Sequence, residues 1–502
     1  MIHGFVRINS YQVSFVLVAQ LQPGIGIRYL AMILVYTVTA FEFAGIISAI
    51  VAIMSTRTAQ GAIAWSVTLV TFPYLAVPLY WIFGRDKFQG YVLARQEQLE
   101  AVNRALAETT IELRRQAKEM GVDEGRLRIA ERLARIPASA NNRVKLLIDG
   151  EATFASIFAG IDAAEHYILV QFYIIRNDEL GREFKDRLIA RAKEGVRVFL
   201  VYDEVGSFGL PAAYLDELRG AGVDVRHFNT RKGLLNRFQL NFRNHRKIVI
   251  VDGSTCWIGG HNVGDEYLGR NPKFGKWRDT HVKIEGPATL AAQVSFVEDW
   301  QWASDSFLPD LRWQPAKVDG DCALLIAPSG PADDLETASL LHTHVINGAR
   351  ERLWIASPYF VPDQATVAAL QLACLRGVDV RIIVPDKTDN LLVTLASYIY
   401  FQMIAPGGAK FFRYVDGFMH QKVFLIDDRI AGIGTANFDN RSFRLNFEIS
   451  TLGSGPGYIA EVKKMFEADF ERSKPMLPDA YTSRPFWLRF ASRFSRLTSP
   501  IL

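Results

Sequence analysis

Residues 244–252 read NHRKIVIVD, and residues 419–427 read MHQKVFLID. Both carry the pattern H-x-K-x₄-D: His245, Lys247 and Asp252 in the first copy, His420, Lys422 and Asp427 in the second. Each copy is followed by a glycine-led tetrapeptide ending in Asn, Gly259-Gly260-His261-Asn262 and Gly434-Thr435-Ala436-Asn437. A single match of this kind arises easily by chance, whereas two with matching extensions imply one site built from two halves. Each motif runs into an apolar tetrad, Ile248 to Val251 and Val423 to Ile426, which reads as a strand. Side chains two apart on a strand share a face, so the His and Lys of each copy would point into the same site. Asp252 and Asp427 complete the pattern and count among the candidate catalytic residues. Because they end the strands, they read as structural rather than chemical.

Working outward, the chain around each motif alternates strand-like and helix-like segments. Tyr167 to Ile175, Glu183 to Glu194 and Val196 to Tyr202 read as strand, helix, strand. Leu353 to Val361, Ala365 to Arg376 and Val378 to Val384 repeat that order, and Gly195-Val196-Arg197-Val198 matches Gly377-Val378-Asp379-Val380. This is an internal duplication of an α/β unit, with divisions expected at 139–315 and 316–475. Tyr173 and Tyr359 read as strand-end core aromatics, the other reading being the wall of a substrate pocket.

Upstream, Tyr29 to Met54 is apolar except for Glu42, and Ala62 to Gly84 carries no charge. Both reach the ~20 residues that cross a bilayer as a helix. With only Ser55 to Gly61 between them, they predict a transmembrane hairpin over 29–84, preceded by an extension, 1–28. A mid-membrane carboxylate such as Glu42 is costly, and Pro73 and Pro78 predict kinks. Arg7, Arg28, Arg85, Lys87 and Arg95 flank the hairpin, against Arg57 alone in its connection, so the catalytic part is expected on the cytoplasmic face. Residues 85–138 read as a helical linker, amphipathic or solvated, with a boundary at Pro137 to Asn142.

The chain has 502 residues with 57 Lys and Arg against 53 Asp and Glu, a balance unlike that of a general nucleic-acid binder. Cys256, Cys322 and Cys374 lie far apart in apolar runs and read as buried and reduced, not as a disulfide framework. The last segment, 476–502, mixes Arg484, Arg489, Arg493 and Arg496 with Phe486, Trp487, Phe490 and Phe494. It suits an anionic membrane surface or packs as a terminal helix.

A histidine titrating near neutrality serves as nucleophile or general acid, and two facing histidines allow both roles at once. Lysines supply positive charge where phosphate oxygens accumulate negative charge, and Asn262 and Asn437 add neutral donors. Such a set handles a phosphodiester with no metal and no cofactor. His342 and His344 lie two apart in a helix-like segment, where side chains diverge, and are not read as metal ligands.

The twin motif resembles the phospholipase D superfamily. The two-segment anchor, AWSVTLVTFPYLAVPLYWIFGR, NHRKIVIVDG, GKWRDTHVKIEGP, SPYFVP and NFDNRSFRLNFE resemble, in order and spacing, the bacterial cardiolipin synthases within it. The resemblance runs from about residue 30 to the C-terminus. It implies an α/β body of two duplicated phospholipase D-like α-β-α units behind a two-helix transmembrane hairpin, in the bacterial inner membrane. It implies two phosphatidylglycerol molecules joined to cardiolipin, with release of glycerol. His245 would form a phosphohistidine and His420 would act as acid and base, or the reverse. It also implies acidic partners for the histidines, Asp279 and Glu448, without saying which serves which. Trp277 and Arg278 would touch phosphate or shape the loop that holds Asp279. One departure stands at Gly260 and Thr435, where the family often carries Ser. Other readings are hydrolysis by the same chemistry, a different acceptor lipid, and a nuclease.

Overall fold

The computed structural model describes residues 23–56, 58–84, 88, 91, 124–228, 241–477 and 483–502. The extension before Pro23 and most of the expected linker lie outside the described residues. Two compact units divide the chain, Met1–Asp86 and Lys87–Leu502.

In the first unit, α1 (Pro23–Ser55) contains the one described helix long and apolar enough to cross a membrane, Arg28–Ser55. The second apolar segment, expected as one crossing helix, is two: α2 (Ala59–Thr71) and α3 (Pro73–Phe83). Pro73 removes a donor and disfavours helical backbone at the preceding residue, and Phe72 leaves the helix at φ −135°, ψ 58°. α3 then folds back along α2: the Trp65 and Tyr80 rings lie 5.2 Å apart. Tyr80 Oη is 3.4 Å from Ser55 Oγ, and Trp81 Nε1 donates to Ser48 Oγ at 3.0 Å. α2 and α3 are therefore a folded pair returning toward the Ser55 end of α1.

The second unit is built on one long sheet. Its first half contributes β1 (Ser139–Ile148), β2 (Tyr167–Phe172), β3 (Arg197–Asp203), β4 (Asp224–Phe228), β5 (Ile248–Val251), β6 (Thr255–Gly259) and β7 (Thr280–Glu285). α4 (Glu179–Lys193) connects β2 to β3, and α5 (Thr289–Ser304) follows β7. The second half contributes β8 (Cys322–Ser329), β9 (Arg352–Ala356), β10 (Asp379–Pro385), β11 (Lys410–Tyr414), β12 (Val423–Ile426), β13 (Ile430–Gly434) and β14 (Asn446–Ser454). Its helices are α6 (Gln364–Leu375), α7 (Leu391–Ile404) and α8 (Pro456–Glu471), and α9 (Phe486–Arg496) closes the chain. α4 and α6 end at glycines with φ +91° and +84°, Gly195 and Gly377. That left-handed residue turns each helix into the next strand, which explains the matching Gly-Val-x-Val sequences.

The strand order is β11-β10-β9-β12-β13-β14-β8-β1-β7-β6-β5-β2-β3-β4, with Ser473–Pro475 at the β11 edge. Read from either end to the middle, the halves match strand for strand about the antiparallel pair β1–β8. Ser139 and Asn142, in the stretch expected as a boundary, are buried there opposite Leu324 and Cys322. Leu169, Val282, Leu324 and Ile449 share a core that spans both halves. Phe88 and Tyr91, from the expected linker, are buried in it beside Phe242, Trp302 and Phe447. All three cysteines are buried and unpaired.

Candidate active site

Strands β5 and β12 have the expected bounds, but the His and Lys of each motif lie in the extended lead-in before the strand. Two short parallel pairings across the halves hold those lead-ins. Arg243 and Asn244 pair with Asn446 and Phe447, and Phe418 and Met419 pair with Trp277 and Arg278. The His245 amide donates to Phe447 O (2.9 Å), and the His420 amide to Arg278 O (2.8 Å). Each motif is thus laid against the acidic loop of the opposite half.

The carboxylates follow the same crossing. His245 Nδ1 lies 2.9 Å from Glu448 Oε2, and His420 Nδ1 lies 2.7 Å from Asp279 Oδ2. An ionised carboxylate only accepts, so Nδ1 carries the proton in both rings and Nε2 keeps the lone pair. Lys247 Nζ donates to His245 O at 2.6 Å and sits over the Tyr173 ring. Lys422 Nζ donates to His420 O and lies edge-on to the His420 ring, 2.8 Å from Nδ1 and 3.1 Å from Nε2.

Burial sets the charge states. It drives both imidazoles down to about 4, against the upward pull of their carboxylates. It lowers Lys247 to about 7, helped by the charge of Lys422, and Lys422 to about 8. Burial alone would raise Asp279, yet Lys422, His261 and the His420 bond hold it well below the usual carboxylate range. Glu448 is likewise lowered, burial being outweighed by His245 and Lys247. At neutral pH the site therefore combines two neutral imidazoles, two carboxylates and two lysines titrating near neutrality.

The other expected residues divide. Asp252 accepts the amides of Glu165, His166 and Tyr167, and Asp427 those of Arg350, Glu351 and Arg352, all at 2.7–2.9 Å. Both sit at the far end of their strands from the histidines, so the structure places them as clamps on the start of β2 and β9. Asn262 is engaged by the Ile174 amide and the Tyr267 hydroxyl, whereas Asn437 keeps a buried Oδ1 without a partner. Arg278 spends its guanidinium on Asp469, at 2.8 Å from both Nε and Nη2, so it shapes the loop. Trp277 lies against the His420 ring, 5.1 Å between centroids. Tyr173 and Tyr359, expected in the core, are only partly buried and flank His245 at 5.0 Å and His420 at 6.5 Å. His342 bonds Ala338 O within its helix and packs among Phe424, Phe438 and Phe443.

Gly260 has a local cause: a Cβ there would enter the Asp279 carboxylate. In the other half Thr435 fits, its hydroxyl accepting the Ile449 amide (2.9 Å) and bonding Glu448. Two residues escaped the sequence reading. Asp299 of α5 gathers Tyr91 Oη, Gln171 Nε2, Asn244 Nδ2 and Arg246 Nη1 within 2.6–2.9 Å. Asp469 of α8 binds Arg278 and Gln421 Nε2. Arg246 and Gln421 are the central residues of the two H-x-K triplets, so each half ties its motif to a buried acid. The available signal was one Asp followed directly by an aromatic residue in each helix, Asp299-Trp300 and Asp469-Phe470, since a buried carboxylate needs partners.

A duplicated α/β sheet with a histidine, a lysine and a crossed acid from each half defines a phospholipase D-like catalytic body. The family model for the cardiolipin synthase, PLD-like domain matches residues 157–294 and 343–470, and a phospholipase D-nuclease N-terminal model matches 44–85. Cardiolipin synthase A of Pseudomonas aeruginosa is 46% identical over 479 residues, covering 94% of this chain and 96% of that one. The Pseudomonas putida protein of the same name is 47% identical over 471 residues, covering 93% and 98%. A solved phosphatidylserine synthase from Haemophilus influenzae shares the fold at TM-score 0.56 and 17% identity, covering 75% of this chain and all of that one. The chain belongs to the cardiolipin synthase family.

Proposed function

We propose that this protein is a phosphatidyltransferase that joins two phosphatidylglycerol molecules into cardiolipin and glycerol. The crossed pairs His245–Glu448 and His420–Asp279 carry the reading, because they present two neutral imidazoles with Nε2 lone pairs between two lysines. His245 Nε2 attacks phosphorus while His420, having taken up a proton beside the bound anion, delivers it to the departing glycerol. His420 then removes the proton from a hydroxyl of the second phosphatidylglycerol, whose oxygen displaces His245; this frees neutral His245 and leaves on His420 the proton that the next glycerol takes. Both lysines donate to the carbonyl of their own histidine, but Lys422 also reaches the His420 ring, 2.8 Å from Nδ1 and 3.1 Å from Nε2, and that contact favours the acid–base role for His420. Lys247 and Lys422 stabilise the charge on the phosphoryl oxygens. Glu448 and Asp279 fix the tautomers and stabilise each imidazolium as it forms. Asn437 adds a neutral polar group at the phosphate, and Tyr173 and Tyr359 wall the headgroup.

The protein works at the inner membrane through its first unit. α1 crosses the bilayer, and the folded pair α2–α3 returns to the Ser55 end. Chain exit at Gly84 then lies on the Ser55 side; in sequence, Arg57, Arg85, Lys87 and Arg95 follow Ser55 or Gly84 closely, against Arg7 and Arg28 ahead of the apolar run of α1. That bias favours a cytoplasmic catalytic unit.

Purified full-length protein supplied with phosphatidylglycerol alone is expected to yield cardiolipin and glycerol. Phosphatidic acid as the main product would replace transfer by hydrolysis, and a requirement for phosphatidylethanolamine would change the acceptor. His245→Ala and His420→Ala should each abolish product while membrane insertion persists. Substantial turnover in either variant would overturn the two-histidine mechanism.

A further inference from the structure

Helix α9 is inside out for a soluble protein. It packs on α7 through small residues, with Ser492 and Ser495 buried. Its aromatic residues point away: Phe486 is 75% exposed, Trp487 66%, Phe490 61% and Phe494 61%. At 100° per residue these four and Leu497 form one continuous stripe, and Arg489, Arg493 and Arg496 follow one flank of it. No acidic residue occurs from Ser483 to Leu502. An apolar stripe of this size costs free energy in water, and its arginine border defines what covers it.

The geometry points to α9 as an interfacial helix that seats the catalytic unit on an anionic lipid surface. A second copy of the same face would bring the arginines against their own counterparts, a like-charge contact. An anionic bilayer instead takes the aromatics below the headgroups and the arginines among the phosphates. The seat connects to the site through α7. Arg484, just before α9, stacks on Tyr398 of α7 and donates to its hydroxyl at 2.7 Å. α7 begins at the exposed Leu391 and Leu392, and Asp389, just before it, accepts from the Tyr359 hydroxyl beside His420. In the other half, Phe208 is 84% exposed on a loop whose Ser207 hydroxyl bonds Tyr173 O, beside His245. Exposed apolar residues thus stand next to segments that touch both histidines, and α9 packs along α7, the helix that begins with one such pair. The inference deepens the proposed lipid substrate but concerns contact, not chemistry.

The test uses full-length protein reconstituted into phosphatidylcholine vesicles with or without phosphatidylglycerol. Phe490→Cys is labelled with a polarity-sensitive fluorophore; the three native cysteines are buried. With phosphatidylglycerol present, the probe should shift to the blue, be quenched by lipids carrying nitroxides at shallow depth, and revert in high salt. Replacing Arg489, Arg493 and Arg496 together by Gln should lower the ratio of immersed to free helix by roughly a hundredfold. An aqueous probe in both vesicle types overturns the proposal. So does a blue shift that follows protein concentration instead of phosphatidylglycerol, which would assign the face to a second copy, or anion dependence retained in the triple variant. The readout is repeated in His245→Ala, so immersion and the identity of the lipid product succeed or fail separately.

Discussion

Lys247 and Lys422 are not ordinary lysines, because burial places their titration at about 7 and about 8. Their charge is needed at the phosphate, so kcat/KM should fall as pH rises through that interval. A bound phosphodiester anion retains those protons, so the alkaline limb of kcat should lie at higher pH than that of kcat/KM. Lys247→Arg should move the onset of the kcat/KM limb from about 7 toward about 8, where Lys422 titrates, since guanidinium does not titrate here. A limb that stays in place would remove the lysine from the step. Gly260 has an equally local role. Gly260→Ala puts a methyl where the Asp279 carboxylate stands, so kcat should fall about 10- to 100-fold in a folded protein through a misplaced His420. Thr435→Ser keeps its hydroxyl near Glu448 and should stay within about threefold. Steady-state kinetics on both variants, with melting curves to establish folding, separates the two.

At the element scale, the strands carrying the motifs were legible because apolar tetrads bounded by charge leave little choice. The helices between β2 and β3 and between β9 and β10 were legible too, for their spacing and their terminal glycines. The second apolar segment was not. Composition predicts a crossing helix, and two prolines predict a kink, but neither reports that α3 folds back until Tyr80 meets Trp65 and Ser55. In the proposed topology a folded-back α3 puts Met54 and Phe83 on one side of the bilayer, and topology mapping detects that. Single cysteines at Leu30, Met54 and Phe83 should react with an impermeant maleimide from opposite sides, Met54 and Phe83 together and Leu30 alone. Leu30 and Phe83 labelling from one side would restore the simple hairpin and remove the folded pair from the proposed topology.

For the catalytic unit taken whole, the crossing of acids and histidines follows from its symmetric strand order, a long-range property that no local pattern encodes. His245 and Glu448 lie 203 residues apart, and His420 and Asp279 141. The resemblance supplied those acids, yet their assignment needed the β1–β8 pairing. The same packing buries a polar centre whose protonation couples to folding. His245, His261 and His420 are held at about 4 and His281 well below its ordinary value, burial being the first cause in each. The Nδ1 atoms of His261 and His281 lie 3.0 Å apart, so one must donate and the other accept, leaving no room for a second proton. Below about 6.5 the unfolded chain binds protons that the folded chain refuses until about 4, so stability is lost as pH falls through that window. Asp279 and Glu448, held low in the folded state, add loss of the same sign below about 4. Detergent-solubilised full-length protein should therefore melt at progressively lower temperature from pH 7 to pH 5. The loss should be about 1–2 kcal/mol for each buried imidazole. His281→Gln removes one refused proton and should flatten that dependence by about one proton, whatever it does to stability at pH 7. A melting temperature indifferent to pH over this range, or a His281→Gln profile parallel to the parent, would mean that these histidines accept protons in place.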